Sequence, residues 1–168
     1  MSEAVPYHID NIQYFVGKEL GVTEWMTIDQ DRVNRFAAVT EDPNPLHVDP
    51  EAAAAGPFGA TVAHGFLTLS LLSHFAYQNG LLPDGIEHGI NYGFERIRFM
   101  TPVPVGGRIR NRQTLLGAAD KGSGRYVIRT RNKIEIEDAP MPALLADWLC
   151  MCQRAEDDQA AVTGTAAE

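Results

Sequence analysis

Asp42-Pro43-Asn44-Pro45-Leu46-His47 sets a carboxylate and an imidazole five residues apart on a segment that carries two prolines. Proline fixes φ, so such a loop holds its side chains in place with little conformational entropy left to lose. Near neutral pH an aspartate of ordinary pKa is ionised, while a histidine can carry or release a proton. Two such groups around one water make a general acid–base site. The same residues also read as plain turn chemistry, with Asp42 capping a helix, because Asp, Asn and Pro dominate turns everywhere.

A second candidate is Ala63-His64-Gly65-Phe66. A glycine opening a helix leaves backbone N–H groups free at the positive end of the helix dipole, where they can hold a carbonyl oxygen that gains negative charge. His64 reads equally as a satisfied buried polar residue. Ser73, two turns along the same face as Gly65, could orient a loop side chain, or simply bond its own helix backbone. Other patterns fail. The five histidines show no zinc-ligand spacing with Cys or Asp, so no metal site is expected. Gly122-Ser123-Gly124 precedes neither a lysine-serine nor a helix, so it is no phosphate loop. No Gly-x-Ser-x-Gly elbow is present. Arg108, Arg110 and Arg112 share a strand face that is either solvated or turned to an anionic carrier.

The elements around these residues follow from periodicity. Thr27-Ile28-Asp29-Gln30 looks like a capping box, with Val33, Phe36 and Ala37 at helical spacing behind it. That helix, about 28–40, stops before Pro43. Asp49-Pro50 opens a short alanine-rich helix over 50–55. Gly56-Pro57-Phe58-Gly59 breaks it. The run from Val62 to Tyr77 is apolar nearly all round and predicts one buried helix, ended by Asn79-Gly80. Strands follow. Ile90, Tyr92 and Phe94 alternate, Ile97 and Phe99 alternate in the opposite phase, and a bulge near Glu95-Arg96 explains the slip. Residues 108–116, 126–136 and 144–153 complete the set, with a hairpin turn over 120–124. A strand or hairpin is expected over 14–25. The economical packing is α+β, an antiparallel sheet wrapped around the long helix.

Composition narrows the class. Apolar residues make up 45% and charged residues 21%, so the chain is an ordinary globular one, read as a single domain over 1–154. The acidic, Ala/Thr-rich end, 155–168, is expected to be disordered. A net charge of −8 argues against a nucleic-acid or anionic-membrane partner. The N-terminus carries no signal-peptide pattern, and no segment is long and apolar enough to span a bilayer. Cys150 and Cys152, on one strand face at the far edge of disulfide reach, fit reduced core thiols in a cytoplasmic protein.

Taken together, Asp42-Pro43-Asn44-Pro45-Leu46-His47, then Ala52 and Ala53, then Val62-Ala63-His64-Gly65 resemble the signature of the MaoC-like, (R)-specific enoyl-CoA hydratases. The segment from Phe99 to Gly106 is similar to that family's later strand. Ala54–Gly59 and Ile90–Gly93 resemble its nodulation-protein-N-like branch. The resemblance covers about residues 14–153. It implies a single hot-dog fold, usually dimeric, and reversible syn hydration of a trans-2-enoyl thioester in fatty-acid metabolism. Its substrate would ride on coenzyme A or acyl carrier protein, with no further cofactor. The residues matching Asp42 and His47 would activate the water, and Asn44 would support the loop. Gly65 would give its N–H to the thioester oxygen, Ser73 would assist, and Phe99 would lie near the substrate. An acyl-CoA thioesterase and a non-catalytic partner subunit of a dehydratase are the alternative readings. One position departs: Glu41 stands where the family has glycine, and a left-handed backbone there would cost a glutamate roughly 1–2 kcal/mol.

Overall fold

The computed structural model describes residues 5–156. All but the first two residues of the expected 155–168 tail lie outside them. The chain opens with a 3₁₀ helix at Ile9–Phe15, then short strands β1 (Glu19–Val22) and β2 (Met26–Thr27). Helices α1 (Gln30–Thr40), α2 (Pro45–Val48), α3 (Pro50–Ala54), α4 (Gly65–Ser70) and α5 (Leu72–Asn79) follow. The long strands β3 (Ile86–Phe99), β4 (Arg108–Gly122), β5 (Arg125–Ile136) and β6 (Leu144–Arg154) come last. The strands form one antiparallel sheet in the order β1-β4-β5-β6-β3, with β2 also on β4. This is the α+β arrangement that the periodicity predicts.

The sheet buries one face. Along β4, β5 and β6 buried and part-exposed residues alternate, as period-2 side chains on a half-covered sheet must. Ile109, Leu115, Ile128, Ile134 and Leu144 point inward against Leu67, Leu72, Phe75 and Ala76 of α4 and α5. The middle of that inner face is polar. Asn111, Gln113, Thr130 and Asn132 are buried there, and the Asn111 amide donates to the Asn132 carbonyl oxygen at 2.9 Å. The outer face carries ion pairs. Arg108 meets Glu137, Arg110 meets Glu135, and Arg112 meets both Glu135 and Glu19. These guanidiniums therefore sit on a solvated face with carboxylate partners of their own.

Several local expectations hold. Asp49 caps α3 by accepting from the N–H groups of Glu51 and Ala52, with Pro50 as the first helical residue. Gly80 ends α5 in the left-handed region. β3 slips register on β6 between Phe94 and Arg96, where the bulge is expected, and in two further places. Cys150 and Cys152 are free and buried, with sulfurs 3.6 Å apart.

Others need correction. Asp29, not Thr27, caps α1, by accepting from Arg32 N–H at 2.8 Å, because Thr27 is committed to β2 and pairs with Arg108. Of the strand or hairpin expected over 14–25, the structure has a strand, β1, shorter than expected because Tyr14 lies in the 3₁₀ helix, and no hairpin, because β1 and β2 both pair with β4. The predicted single buried helix is two helices, broken at Leu71, and it starts at Gly65 rather than Val62. It is also not buried all round: Phe66 is 68% and Tyr77 88% exposed in the protomer.

Candidate active site

α1 delivers the first residue of the site. Val33 and Ala37 are buried on its inner side, and its last turn closes at Glu41, which adopts φ 57°, ψ 34°. The left-handed backbone that the sequence made a question is therefore real, and a glutamate occupies it. Both Glu41 and Asp42 donate their N–H to the Ala37 carbonyl, which turns the chain so that Asp42 leaves the helix axis. Asn44 then caps α2 by accepting from Leu46 N–H at 3.0 Å, with Pro45 as the first helical residue. That single turn carries His47.

His47 is held by a clasp between two distant segments. Its Nδ1 lies 2.7 Å from the Val62 carbonyl oxygen, an acceptor, so Nδ1 carries the proton and Nε2 is left as the basic nitrogen. Val62 N–H returns to the Leu46 carbonyl at 3.2 Å. Gln30 donates to the His47 carbonyl at 2.7 Å and accepts from Thr61 Oγ1, tying α1 to the same junction. The arc 49–61 leaves and re-enters at this clasp.

His64 is the residue whose place the sequence did not reveal. It is 3% exposed, and its ring stacks on His47 with centroids 3.8 Å apart. Its Nε2 lies 3.0 Å from the Asp42 carbonyl oxygen, and 3.9 Å from the carboxylate. Its Nδ1 is buried without a hydrogen-bond partner. Asp42, His47 and His64 each present a donor atom, and these atoms all lie within 4.8 Å of one another. That is about the span of one water bridging two hydrogen-bond partners.

A cavity of about 310 Å³ opens beside them, lined by His47, Phe58, Gly65, Thr68, Phe99 and Val103 among others. Gly65 is the first residue of α4, so its N–H has no acceptor within the helix. A Cβ on Gly65 would come within 3.0 Å of the Phe99 ring, so the close approach of that ring requires glycine here. Phe99 also meets Phe66 edge-on, with centroids 5.8 Å apart. The fold thus gathers Asp42, Asn44, His47, Gly65 and Phe99 into one neighbourhood. Ser73 is not part of it. The break at Leu71 shifts the helical phase, and Ser73 lines a separate, mainly apolar cavity of about 250 Å³ with Ala76, Leu82, Trp148 and Cys150.

Chemically the site offers a basic nitrogen on His47, a solvent-facing Asp42 carboxylate with an oxygen within 4.8 Å of a nitrogen of that ring, and the leading backbone N–H of α4 beside a cavity with aromatic walls. Proton transfer through a held water is what such a set can do.

Comparison with known proteins agrees in sequence and shape. Residues 11–137 match the family described as the MaoC like domain. The 3-hydroxyacyl-thioester dehydratase Z of Mycobacterium tuberculosis is 44% identical over 131 residues, 78% of this chain and 86% of the relative. Nodulation protein N of Rhizobium leguminosarum bv. viciae is 43% identical over 147 residues, covering 86% and 90%. Among solved structures, an (R)-hydratase from Pseudomonas aeruginosa superimposes with a TM-score of 0.65 at 27% identity, covering 83% of each chain.

Proposed function

Because the chain belongs to the MaoC-like domain family, we propose that it is an (R)-specific enoyl-thioester hydratase, a hydro-lyase that also runs as a 3-hydroxyacyl dehydratase. The observation that carries this reading is the fixed tautomer of His47, which leaves Nε2 basic on a ring that has a nitrogen within 4.8 Å of an Asp42 carboxylate oxygen. A water held between them adds syn across the 2,3-double bond. Its hydroxyl forms the new bond to C3, and a proton passes to C2. As the double bond shifts toward the thioester, charge grows on the carbonyl oxygen, and Gly65 N–H donates to it. Phe99 and Phe58 wall the cavity against bulk solvent. The thioester carrier is coenzyme A or acyl carrier protein, and no further cofactor takes part.

The working unit in this reading is a homodimer. β3 is an edge strand of 14 residues, and Ile90 and Tyr92 on it are 61% and 59% exposed. Phe66 and Tyr77 are exposed as well, and a second copy would cover such apolar side chains and the open edge of β3. No helix in the described residues is long and apolar enough to cross a membrane.

The test is turnover of crotonyl-CoA with two readouts, loss of the conjugated double bond and appearance of free thiol. Hydration to the (R)-3-hydroxy product without thiol release is expected. Thiol release in step with substrate loss would mean thioester hydrolysis and overturn the reading.

A further inference from the structure

His64 is the N-cap residue of α4, yet its side chain makes no capping hydrogen bond to the helix it opens. The imidazole is turned instead toward Asp42 and His47. Its Nε2 lies 3.0 Å from the Asp42 carbonyl oxygen, an acceptor, so Nε2 carries the proton and donates to that oxygen. Asp42 N–H is held in turn by the Ala37 carbonyl at 3.0 Å, which ties down the peptide groups on both sides of the Asp42 Cα. The His64 ring stacks on His47 with centroids 3.8 Å apart, and Phe36 of α1 meets it with centroids 5.1 Å apart. Its backbone is anchored too: Ala63 N–H donates to the Val103 carbonyl at 2.8 Å, and Thr68 N–H to the His64 carbonyl at 3.2 Å.

Packing alone does not account for a histidine here. The residue is 3% exposed, and its Nδ1 is buried with no hydrogen-bond partner. A buried polar atom left unpaired costs stability, so a purely structural ring would do better without that nitrogen. Phenylalanine would supply the ring alone, and glutamine a donor alone; an imidazole supplies both. Nor is His64 placed as a second acid or base. Its one N–H is committed to the Asp42 carbonyl, and the residue is not in the wall of the cavity.

We infer that His64 is a positioning residue for the hydration: its N–H sets the backbone that aims the Asp42 carboxylate, and its ring face sets the plane of the His47 imidazole. The inference rests on the proposed function, which gives those two groups one shared water. Misplacing a reacting group by about 1 Å costs on the order of 100-fold in rate.

Two variants of the whole protein separate the contacts. His64→Phe keeps a ring face for His47 and loses the donor to Asp42. His64→Gln keeps an amide N–H for Asp42 and loses the ring. Each should lower kcat for crotonyl-CoA hydration at least ~10-fold, with KM within about twofold of wild type, in samples that melting shows to be folded. Either variant decides alone if the other does not fold. On the Asp42→Asn, His47→Gln background neither change should lower the residual rate by more than about twofold, because nothing is left to aim. Ring-nitrogen NMR of isotope-labelled histidine should show His47 as one Nδ1–H tautomer in the wild type and in His64→Phe, and exchanging tautomers in His64→Gln. Full kcat in either variant, a loss carried by KM, an undiminished loss on the double background, or an unchanged His47 signal in His64→Gln would each overturn the inference. Those results leave the proposed function standing. A wild-type protein that shows the NMR pattern but hydrates nothing would instead remove the proposed function and leave the hold of His64 on His47 in place.

Discussion

Asp42→Asn and His47→Gln, alone and combined, separate chemistry from architecture. Asn keeps the size of Asp42, whose side chain is 57% exposed and approaches His64 only at 3.9 Å, so its loss should cost under ~0.5 kcal/mol of stability. Gln at 47 forfeits the 2.7 Å bond to the Val62 carbonyl, about 1 kcal/mol, or a melting temperature lower by about 2–4 °C in a chain of this size. The catalytic loss is on another scale. A positioned acid or base is worth ~10²–10⁴ in rate, so each single variant should lose at least ~100-fold in kcat, about 2.7 kcal/mol of barrier. Because both groups handle one water, the double variant should lose far less than the product of the single losses. The assay is crotonyl-CoA hydration beside thermal melting of the same samples. Single variants that melt normally and hydrate at the wild-type rate would refute the assignment. So would fully multiplicative losses, which would mean two independent contributions rather than one shared water.

Other perturbations report on the scaffold. Glu41→Gly should stabilise the protein by about 0.5–1 kcal/mol in urea unfolding, since it relieves a left-handed glutamate at the cost of glycine's extra unfolded-state entropy; Glu41→Ala should give no gain. Burial works to raise the Glu135 pKa, but hydrogen bonds from Arg112, Arg110 and Lys133 outweigh it and hold it down at about 2. A depressed folded-state pKa contributes stability that is full above the unfolded carboxylate range and fades as pH falls from about 4.5 toward 2. Glu135→Gln should therefore cost about 1–2 kcal/mol at pH 7, after allowance for solvent screening, and progressively less in acid unfolding curves below pH 4. Gly65→Ala should push the Phe99 ring aside and lower kcat/KM about tenfold, with part of the loss recovered by adding Phe99→Leu. Gel filtration should give a dimer at micromolar concentration, and Tyr92→Glu on the β3 edge should shift it toward monomer.

What the sequence disclosed was whatever is local. The Asp49 cap, the Gly80 stop and the 94–96 bulge each depend on a few consecutive residues, and each stands where expected. The errors come from contacts across the chain. Thr27 has cap chemistry as good as that of Asp29, and only its pairing with Arg108 removes it from contention. Ser73 is on the Gly65 face if the helix is continuous, and the break at Leu71 moves it to another cavity. His64 is 22 positions from Asp42 and 17 from His47 in sequence, so nothing in linear spacing shows that its ring stacks on one and meets the carbonyl of the other.

The clasp at His47 has a consequence for how this chain can change length. The arc 49–61 begins and ends at one knot, where the His47 ring meets the Val62 carbonyl and Val62 N–H returns to Leu46. Loop-closure entropy grows only logarithmically, so doubling such an arc costs only about 0.6 kcal/mol. Residues can therefore be inserted or deleted around the Gly56-Pro57-Phe58-Gly59 turn while the imidazole keeps its place. Phe58, which walls the cavity, rides on that arc. Insertions there would redraw the mouth of the cavity and leave the proton-transfer groups untouched, making the arc a natural graft point for altering which acyl groups the site admits.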